Sequence, residues 1–250
     1  YNMAIAYDEL GRTDQAVDEL KRAIELNPED ADAHYRLGVI YHLRGELDEA
    51  ISSFKMALEV NPEHFDARND LGSAYMDKGE YELALKEYQA ASKLRPDDPD
   101  LTLIAVFHRH GRSESRAVGL IKGLGLREGA VASTYAHDAH NLLVVGKDGA
   151  EMAAAANALI EADGGLAVSR GGRLLSLVEL PLAGLMSLRP VPEVAQAVDR
   201  FNRALMELGI RHPDALMRLA TLTLPVSSGL RITDRGLVDA EARRLVDFFR

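Results

Sequence analysis

Ala33-His34-Tyr35-Arg36-Leu37-Gly38-Val39-Ile40-Tyr41 returns 34 residues later as Ala67-Arg68-Asn69-Asp70-Leu71-Gly72-Ser73-Ala74-Tyr75. The Ala, the Leu-Gly pair and the closing Tyr keep their places while the residues between them change. The same register carries further columns: Gly11, Gly45 and Gly79; Ala16, Ala50 and Ala84; Leu20, Phe54 and Tyr88; Ala23, Ala57 and Ala91; Pro28, Pro62 and Pro96. Each unit therefore reads as a helix, a turn at the Gly, a second helix and a Pro that stops it. The small residues let paired helices approach closely, and the aromatics are expected to fill the gap between neighbouring units.

This register resembles the tetratricopeptide repeat and covers residues 1–98 as three units, the first of them truncated. The chain opens on YNMAIAYDEL, without an initiator Met or the regions of a signal peptide, so it is expected to enter in mid-repeat. The resemblance implies a helical-hairpin solenoid in which the first helix of each unit lines a concave groove. That groove would present Asp32, Tyr35, Val39 and His42, then Asp66, Asn69, Ser73 and Met76. Relatives that bind chaperone tails clamp a terminal carboxylate with Lys, Arg and Asn, whereas Asp32, Asp66 and Asp70 would repel one. The expected partner is a protein or peptide with a basic or apolar segment rather than an acidic tail. The competing reading makes the same positions the solvated face of a structural spacer.

Charge divides the chain at the same place as the repeats. Residues 1–98 hold 11 Lys/Arg against 22 Asp/Glu, and the remainder holds 18 against 17. An acidic repeat array argues against a phosphate-backbone partner, so no nucleic acid is expected. There is no cysteine, which excludes disulfides and thiolate metal sites and fits a cytoplasmic location. No segment approaches the roughly 20 apolar residues of a membrane helix, so no membrane partner is expected.

Residues 99–250 show no repeat and read as a mixed α/β domain. Strands are expected at 117–121, 130–134, 142–145, 166–169 and 174–180, with helices at 149–162 and 192–208. Arg170-Gly171-Gly172-Arg173 reads as a hairpin turn. Residues 101–107 suit either a buried strand or a short helix, and periodicity does not decide between them. The fold class is therefore α plus α/β: a helical solenoid followed by a mixed domain.

Within the second part, several stretches carry a further resemblance: Val118-Gly119-Leu120-Ile121-Lys122-Gly123-Leu124-Gly125-Leu126-Arg127-Glu128-Gly129-Ala130-Val131-Ala132-Ser133-Thr134, Ala136-His137-Asp138-Ala139-His140-Asn141, Gly164-Gly165-Leu166, Leu180-Pro181-Leu182-Ala183-Gly184-Leu185-Met186-Ser187 and Thr233-Asp234-Arg235-Gly236-Leu237-Val238-Asp239. In this order they resemble the C-terminal domain of bacterial adenine deaminase, of the amidohydrolase superfamily. The resemblance implies the hydrolysis of adenine to hypoxanthine and ammonia with Mn²⁺ or Fe²⁺. In that family the metal ligands lie mainly in a preceding β/α barrel, and the repeats occupy its place here. No cofactor is therefore expected for this chain alone, and the chain is expected to be an interaction module without independent catalysis. The alternative is a deaminase, or a component that completes such a site with a barrel from another chain.

The sequence also departs from the family pattern, with His108 before Arg109-His110, Ala139 between Asp138 and His140, and Ser227-Ser228-Gly229 after Leu224-Pro225-Val226. By the family motif, His137, Asp138, His140 and Asn141 are the candidate catalytic residues. His108, His110, His137 and His140 are the candidate metal ligands, since a strand would put the first two on one face and a helical turn the second two. The competing reading is a polar surface or hydrogen-bond cluster around Asp138 and Asn141.

Overall fold

A computed structural model describes residues 1–95, 98, 101–109, 115–135, 140–212, 214–223, 230–233, 236–239 and 244–245. Two compact units make up the chain, one over 1–95 and one from 96 to 246.

The first unit holds α1 (Asn2–Glu9), α2 (Thr13–Leu26), α3 (Ala31–Leu43), α4 (Leu47–Val60), α5 (Phe65–Asp77) and α6 (Tyr81–Leu94). They pack as the hairpins α1–α2, α3–α4 and α5–α6, as the repeat register requires. The Gly of each Leu-Gly pair is explained by its neighbour. A methyl group at Gly38 would lie 2.7 Å from the Phe54 ring, and one at Gly72 would lie 3.0 Å from the Tyr88 ring. Each aromatic thus sits on the glycine of its own unit, so these contacts close a hairpin from within rather than bridge two hairpins. Phe54 and Tyr88 are fully buried, and each contributes on the order of 2–3 kcal/mol through its apolar area.

Neighbouring units are tied by polar bonds that recur with the repeat. Arg44 donates to Asp14 at 2.6 Å, and Lys78, 34 residues on, donates to Asp48 at 2.7 Å. Both pairs are open to solvent, where water and salt screen them, so they tie the units only weakly. At the start of α3 the Asp30 carboxylate accepts from the Ala33 N–H at 3.0 Å. The equivalent position before α5 is His64, whose Nδ1 accepts from the Ala67 N–H at 3.1 Å. Two different side chains therefore meet the same need, an acceptor for an orphan amide in the first helical turn. Pro96 lies outside the described residues.

The second unit is built on a six-stranded sheet in the order β2-β1-β4-β3-β5-β6, antiparallel throughout. Its strands are β1 (Thr102–Phe107), β2 (Arg116–Ile121), β3 (Ala130–Ser133), β4 (Leu142–Gly146), β5 (Gly165–Arg170) and β6 (Arg173–Glu179). Residues 102–107 are thus a strand, paired on both sides by β2 and β4. Every residue from Thr102 to Val106 is buried, as is all of β3 and β4. Successive strand residues face opposite ways, so these strands are covered on both faces.

Helix α7 (Gly149–Glu161) joins β4 to β5 and packs on β3, β4 and β5; α8 (Val191–Glu207) packs on β5 and β6. The Asp148 carboxylate caps α7 by accepting from the Ala150 and Glu151 amides, both at 2.9 Å. Gly171 and Gly172 take φ values of +62° and +70° between the paired Arg170 and Arg173, which makes the β5–β6 connection a two-residue type I′ hairpin. A short helix α9 (Ala215–Thr221) and a three-stranded antiparallel sheet of β7 (Leu230–Thr233), β8 (Gly236–Asp239) and β9 (Arg244–Leu245) follow. Sequence pattern alone did not single out α9.

Candidate functional site

On the repeats, the eight groove positions divide by burial. Asp32 and Asp66 carry side chains 71% and 60% exposed, while Tyr35, Val39 and Asn69 are half-buried. His42, Ser73 and Met76 are buried. These polar groups bond both within and across units. The Tyr35 hydroxyl donates to Asp70 at 3.0 Å, and the His42 Nε2 lies 2.7 Å from the Asp77 carboxylate. Asn69 donates to the other Asp70 oxygen at 3.1 Å, and the Ser73 and Tyr88 hydroxyls share a bond of 2.9 Å. The Tyr35 ring packs 4.8 Å from that of His64, whose Nε2 reaches Asp32 at 3.3 Å.

Asp70 is the unusual member of this chain of contacts. It is 1% exposed. Burial pushes its carboxyl up to about 7, helped by the Asp66 carboxylate and opposed by the hydrogen bonds from Asn69 and Tyr35 and by nearby His42. Burial and the Asp70 charge push the Tyr35 phenol upward in turn. The exposed negative face of the groove is thus made by Asp32 and Asp66, with Asp70 held inside.

In the second unit, segments far apart in sequence meet at one end of the large sheet. Phe107 at the end of β1 pairs with Leu142 at the start of β4, which places His108 and Arg109 beside His140 and Asn141. The last β3 residue, Ser133, pairs with Leu143 and Leu166, so Thr134 arrives at the same end as Gly164-Gly165. There the Thr134 hydroxyl accepts from the Gly165 N–H at 2.7 Å and donates to the Gly184 carbonyl at 2.9 Å. The Arg109 guanidinium donates to the His140 carbonyl at 2.6 Å and also to the Ala183 carbonyl. Both carbonyls belong to residues in the left-handed region, His140 at φ +47° and Ala183 at φ +55°. Holding a non-glycine residue there costs about 1 kcal/mol or more, which the surrounding bonds must offset. Burial lowers the proton affinity of Arg109.

What this end does chemically is hold backbone. Thr134 and Arg109 bind carbonyls and an amide of the converging loops. The sequence flagged Thr134, Gly164-Gly165 and Ala183-Gly184 only as parts of a motif. In the sequence Arg109 stands only beside a departure from the motif, between His108 and His110. Of the candidate catalytic residues, Asn141 is buried and His140 half-buried, with the His140 Nδ1 buried and without a hydrogen-bond partner among the described residues. His137 and Asp138 lie outside the described residues. Of the candidate metal ligands, His108 and His140 are described, and His110 and His137 are not. Among the described residues no three His, Asp or Glu side chains converge on a point that could hold a metal ion. The described residues alone therefore do not make a site for Mn²⁺ or Fe²⁺. Nor is any described helix long and apolar enough to cross a membrane.

The two units thus define a class: helical-hairpin repeats of the kind that bind proteins, joined to an antiparallel sheet with packed helices whose motif segments meet at one end. Comparison with known proteins sharpens this. The family model for the adenine deaminase C-terminal domain matches residues 76–244, and that for the tetratricopeptide repeat matches residues 1–59 and 44–99. The chain belongs to the adenine deaminase C-terminal domain family and carries tetratricopeptide repeats ahead of that domain. The deaminase match begins inside α5, so residues 76–99 fall within both, and the helices α5 and α6 there have repeat geometry.

Among curated proteins, adenine deaminase 2 of Shouchella clausii is 49% identical over 152 residues, covering 61% of this chain and 26% of its own length. Adenine deaminase of Cereibacter sphaeroides is 51% identical over 142 residues, covering 57% of this chain and 25% of its own length. The chain therefore spans about a quarter of these relatives. A crystal structure of MamA aligns at 33% identity with a TM-score of 0.38, over 39% of this chain and 57% of that one.

Proposed function

We propose that this chain is an interaction protein whose repeats take a basic or apolar peptide segment, and whose deaminase-type domain has no catalysis of its own. The observation that carries the reading is the pair Asp32 and Asp66. They stand 34 residues apart at equivalent places on successive inner helices, both exposed, in an array with twice as many acidic as basic residues. Such a surface attracts cationic segments and rejects anionic tails. The absence of cysteine supports a cytoplasmic setting.

Fluorescence anisotropy with labelled peptides tests the groove. A Lys/Arg-rich peptide is expected to bind at low salt and to weaken about fivefold or more in Asp32→Asn/Asp66→Asn, while a Glu-rich peptide of equal length does not bind. Equal binding of both peptides, or no effect of the double variant, contradicts the reading.

One observation favours a second reading. The domain is about half identical to the C-terminal quarter of complete deaminases. In that reading it completes a purine-hydrolysing site with a barrel from another chain, which would bring Mn²⁺ or Fe²⁺. Arg109 would then hold the start of the His140–Asn141 segment, and Thr134 the 164–165 and 183–184 segments, in the shape that the barrel meets.

A further inference from the structure

Both carboxylate oxygens of Asp70 are engaged by residues that line the repeat groove. Oδ2 accepts from the Tyr35 hydroxyl on α3 at 3.0 Å, and Oδ1 accepts from the Asn69 amide at 3.1 Å. Asp66 stands one helical turn before Asp70 on the same face of α5, with a side chain 60% exposed. A carboxyl closed off from solvent thus lies one turn from a carboxylate that solvent reaches. Burial opposes ionisation of Asp70 most strongly, and the charge of Asp66 adds to that opposition.

We propose that the groove binds a basic segment with loss of a proton from Asp70 to solvent, so that its affinity rises with pH. This regulation rests on the reading of the groove as a receptor for cationic segments. A ligand Lys or Arg that settles on Asp66 cancels the negative charge that Asp70 faces and brings a positive one near it. Both effects favour the ionised carboxyl. By linkage, a ligand that favours the ionised form binds more tightly where that form is populated. The hydrogen bonds work in the same direction. Tyr35 and Asn69 both donate, which suits a carboxylate. A protonated Asp70 must itself donate from one oxygen, so one of these donors turns away or the Tyr35 hydroxyl reverses to accept. Protonation therefore also changes the polar groups that the groove presents to a ligand.

Every helix around Asp70 brings charged or titratable groups. From α3 come Tyr35 and His42, and the His42 Nε2 lies 2.7 Å from Asp77 of α5. From α4 the Lys55 ammonium lies 5.5 Å from the centre of the Tyr75 ring. From α6 the Tyr88 hydroxyl shares its bond with Ser73. Arg95, just past α6, stacks 3.6 Å over the Phe65 ring and stands 4.0 Å from Asp66. The Arg95 and Asp66 side chains are both largely exposed, so solvent screens this pair and Asp66 stays open to a ligand. Beside Tyr35, His64 packs on its ring and reaches Asp32.

Fluorescence anisotropy of the full chain tests this with a Lys/Arg-rich peptide that has blocked termini and no His or acidic residue, at constant ionic strength. Between about pH 5.5 and about pH 8 the affinity is expected to rise about fivefold, and Asp70→Asn is expected to lose most of that rise. Tyr35→Phe removes a donor to the ionised carboxyl and is expected to move the rise to higher pH, which a loss of packing alone would not do. Calorimetry in two buffers of different ionisation enthalpy is expected to show net proton release near neutral pH, reduced in Asp70→Asn. A rise that persists unchanged in Asp70→Asn, as titration of His42 or His64 would give, overturns the proposal. An affinity independent of pH does the same, and either result leaves the groove's choice of a cationic peptide standing. No binding at any pH overturns that choice together with its regulation.

Discussion

Gly165→Ala is expected to unfold the second unit or to destabilise it by more than about 3 kcal/mol. Gly165 opens β5 at φ +141°, a conformation that L side chains rarely adopt, and a methyl group there would lie 1.9 Å from the Val178 carbonyl oxygen. That oxygen belongs to the β6 backbone, so no rotamer change relieves the clash. The strand must move, and with it the amide that Thr134 holds at 2.7 Å. Gly171→Ala provides the contrast. Its φ is +62°, but nothing lies within 4 Å of the added methyl, so only the conformational cost of about 1 kcal/mol remains. Urea unfolding of the two variants beside the parent separates these cases. Equal losses at the two positions would show that the β5–β6 approach is not as tight as described.

The repeats are expected to lose stability as pH rises from about 4 to about 7, with Asp70 as the principal cause. Its carboxyl is held up at about 7 in the folded chain, and in the unfolded chain it titrates near 4. Below the unfolded value both states are protonated, and this group adds no pH dependence. Between the two values the unfolded state ionises while the folded state keeps its proton, so the unfolded state gains. Above about 7 both are ionised and the full cost remains, at most about 4 kcal/mol for a shift of this size. Asp70→Asn keeps an oxygen to accept from Tyr35 and removes the charge. It is expected to raise repeat stability at pH 8 by about 2 kcal/mol or more and to flatten the profile between the two values. Far-UV circular dichroism in urea follows this, since the helices of the repeats dominate the signal. An Asp70→Asn variant less stable than the parent at pH 8 would show that the ionised carboxylate is a net stabilising partner of Tyr35 and Asn69.

The local architecture of this chain is written where residues interact with near neighbours in sequence. The Leu37-Gly38 and Leu71-Gly72 pairs and the aromatics sixteen residues after each glycine announce helix hairpins, and Arg170-Gly171-Gly172-Arg173 announces a type I′ turn. The bonds between units escape the pattern, because Tyr35–Asp70 and His42–Asp77 are offset by 35 residues against a repeat of 34. Residues 101–107 were ambiguous for a physical reason. A short apolar run has no period to read, and only partners at 116–121 and 142–146 make it a strand. Strand order is equally hidden. β3 stands between β4 and β5, so the β4–α7–β5 connection crosses over a strand that precedes it in the chain.

For the sheet end, motif recognition found the pieces and tertiary structure found their use. Gly164-Gly165, Ala183-Gly184 and Thr134 were legible as motif residues, but one hydroxyl bonding two of these segments depends on β3–β5 pairing. Arg109 carried no signal beyond its place between two histidines, and its role as clamp on two left-handed residues follows only from where β1 ends.

The most direct test of the central claim is hypoxanthine formation from adenine by the purified full chain, with Mn²⁺ or Fe²⁺ supplied, alone and mixed with the barrel portion of a complete adenine deaminase. The account predicts no turnover by the chain alone; turnover only in the mixture would favour the second reading, in which the domain completes another chain's site. Turnover by the chain alone, abolished by chelation and by His137→Ala, would contradict the account and make this domain a deaminase in its own right.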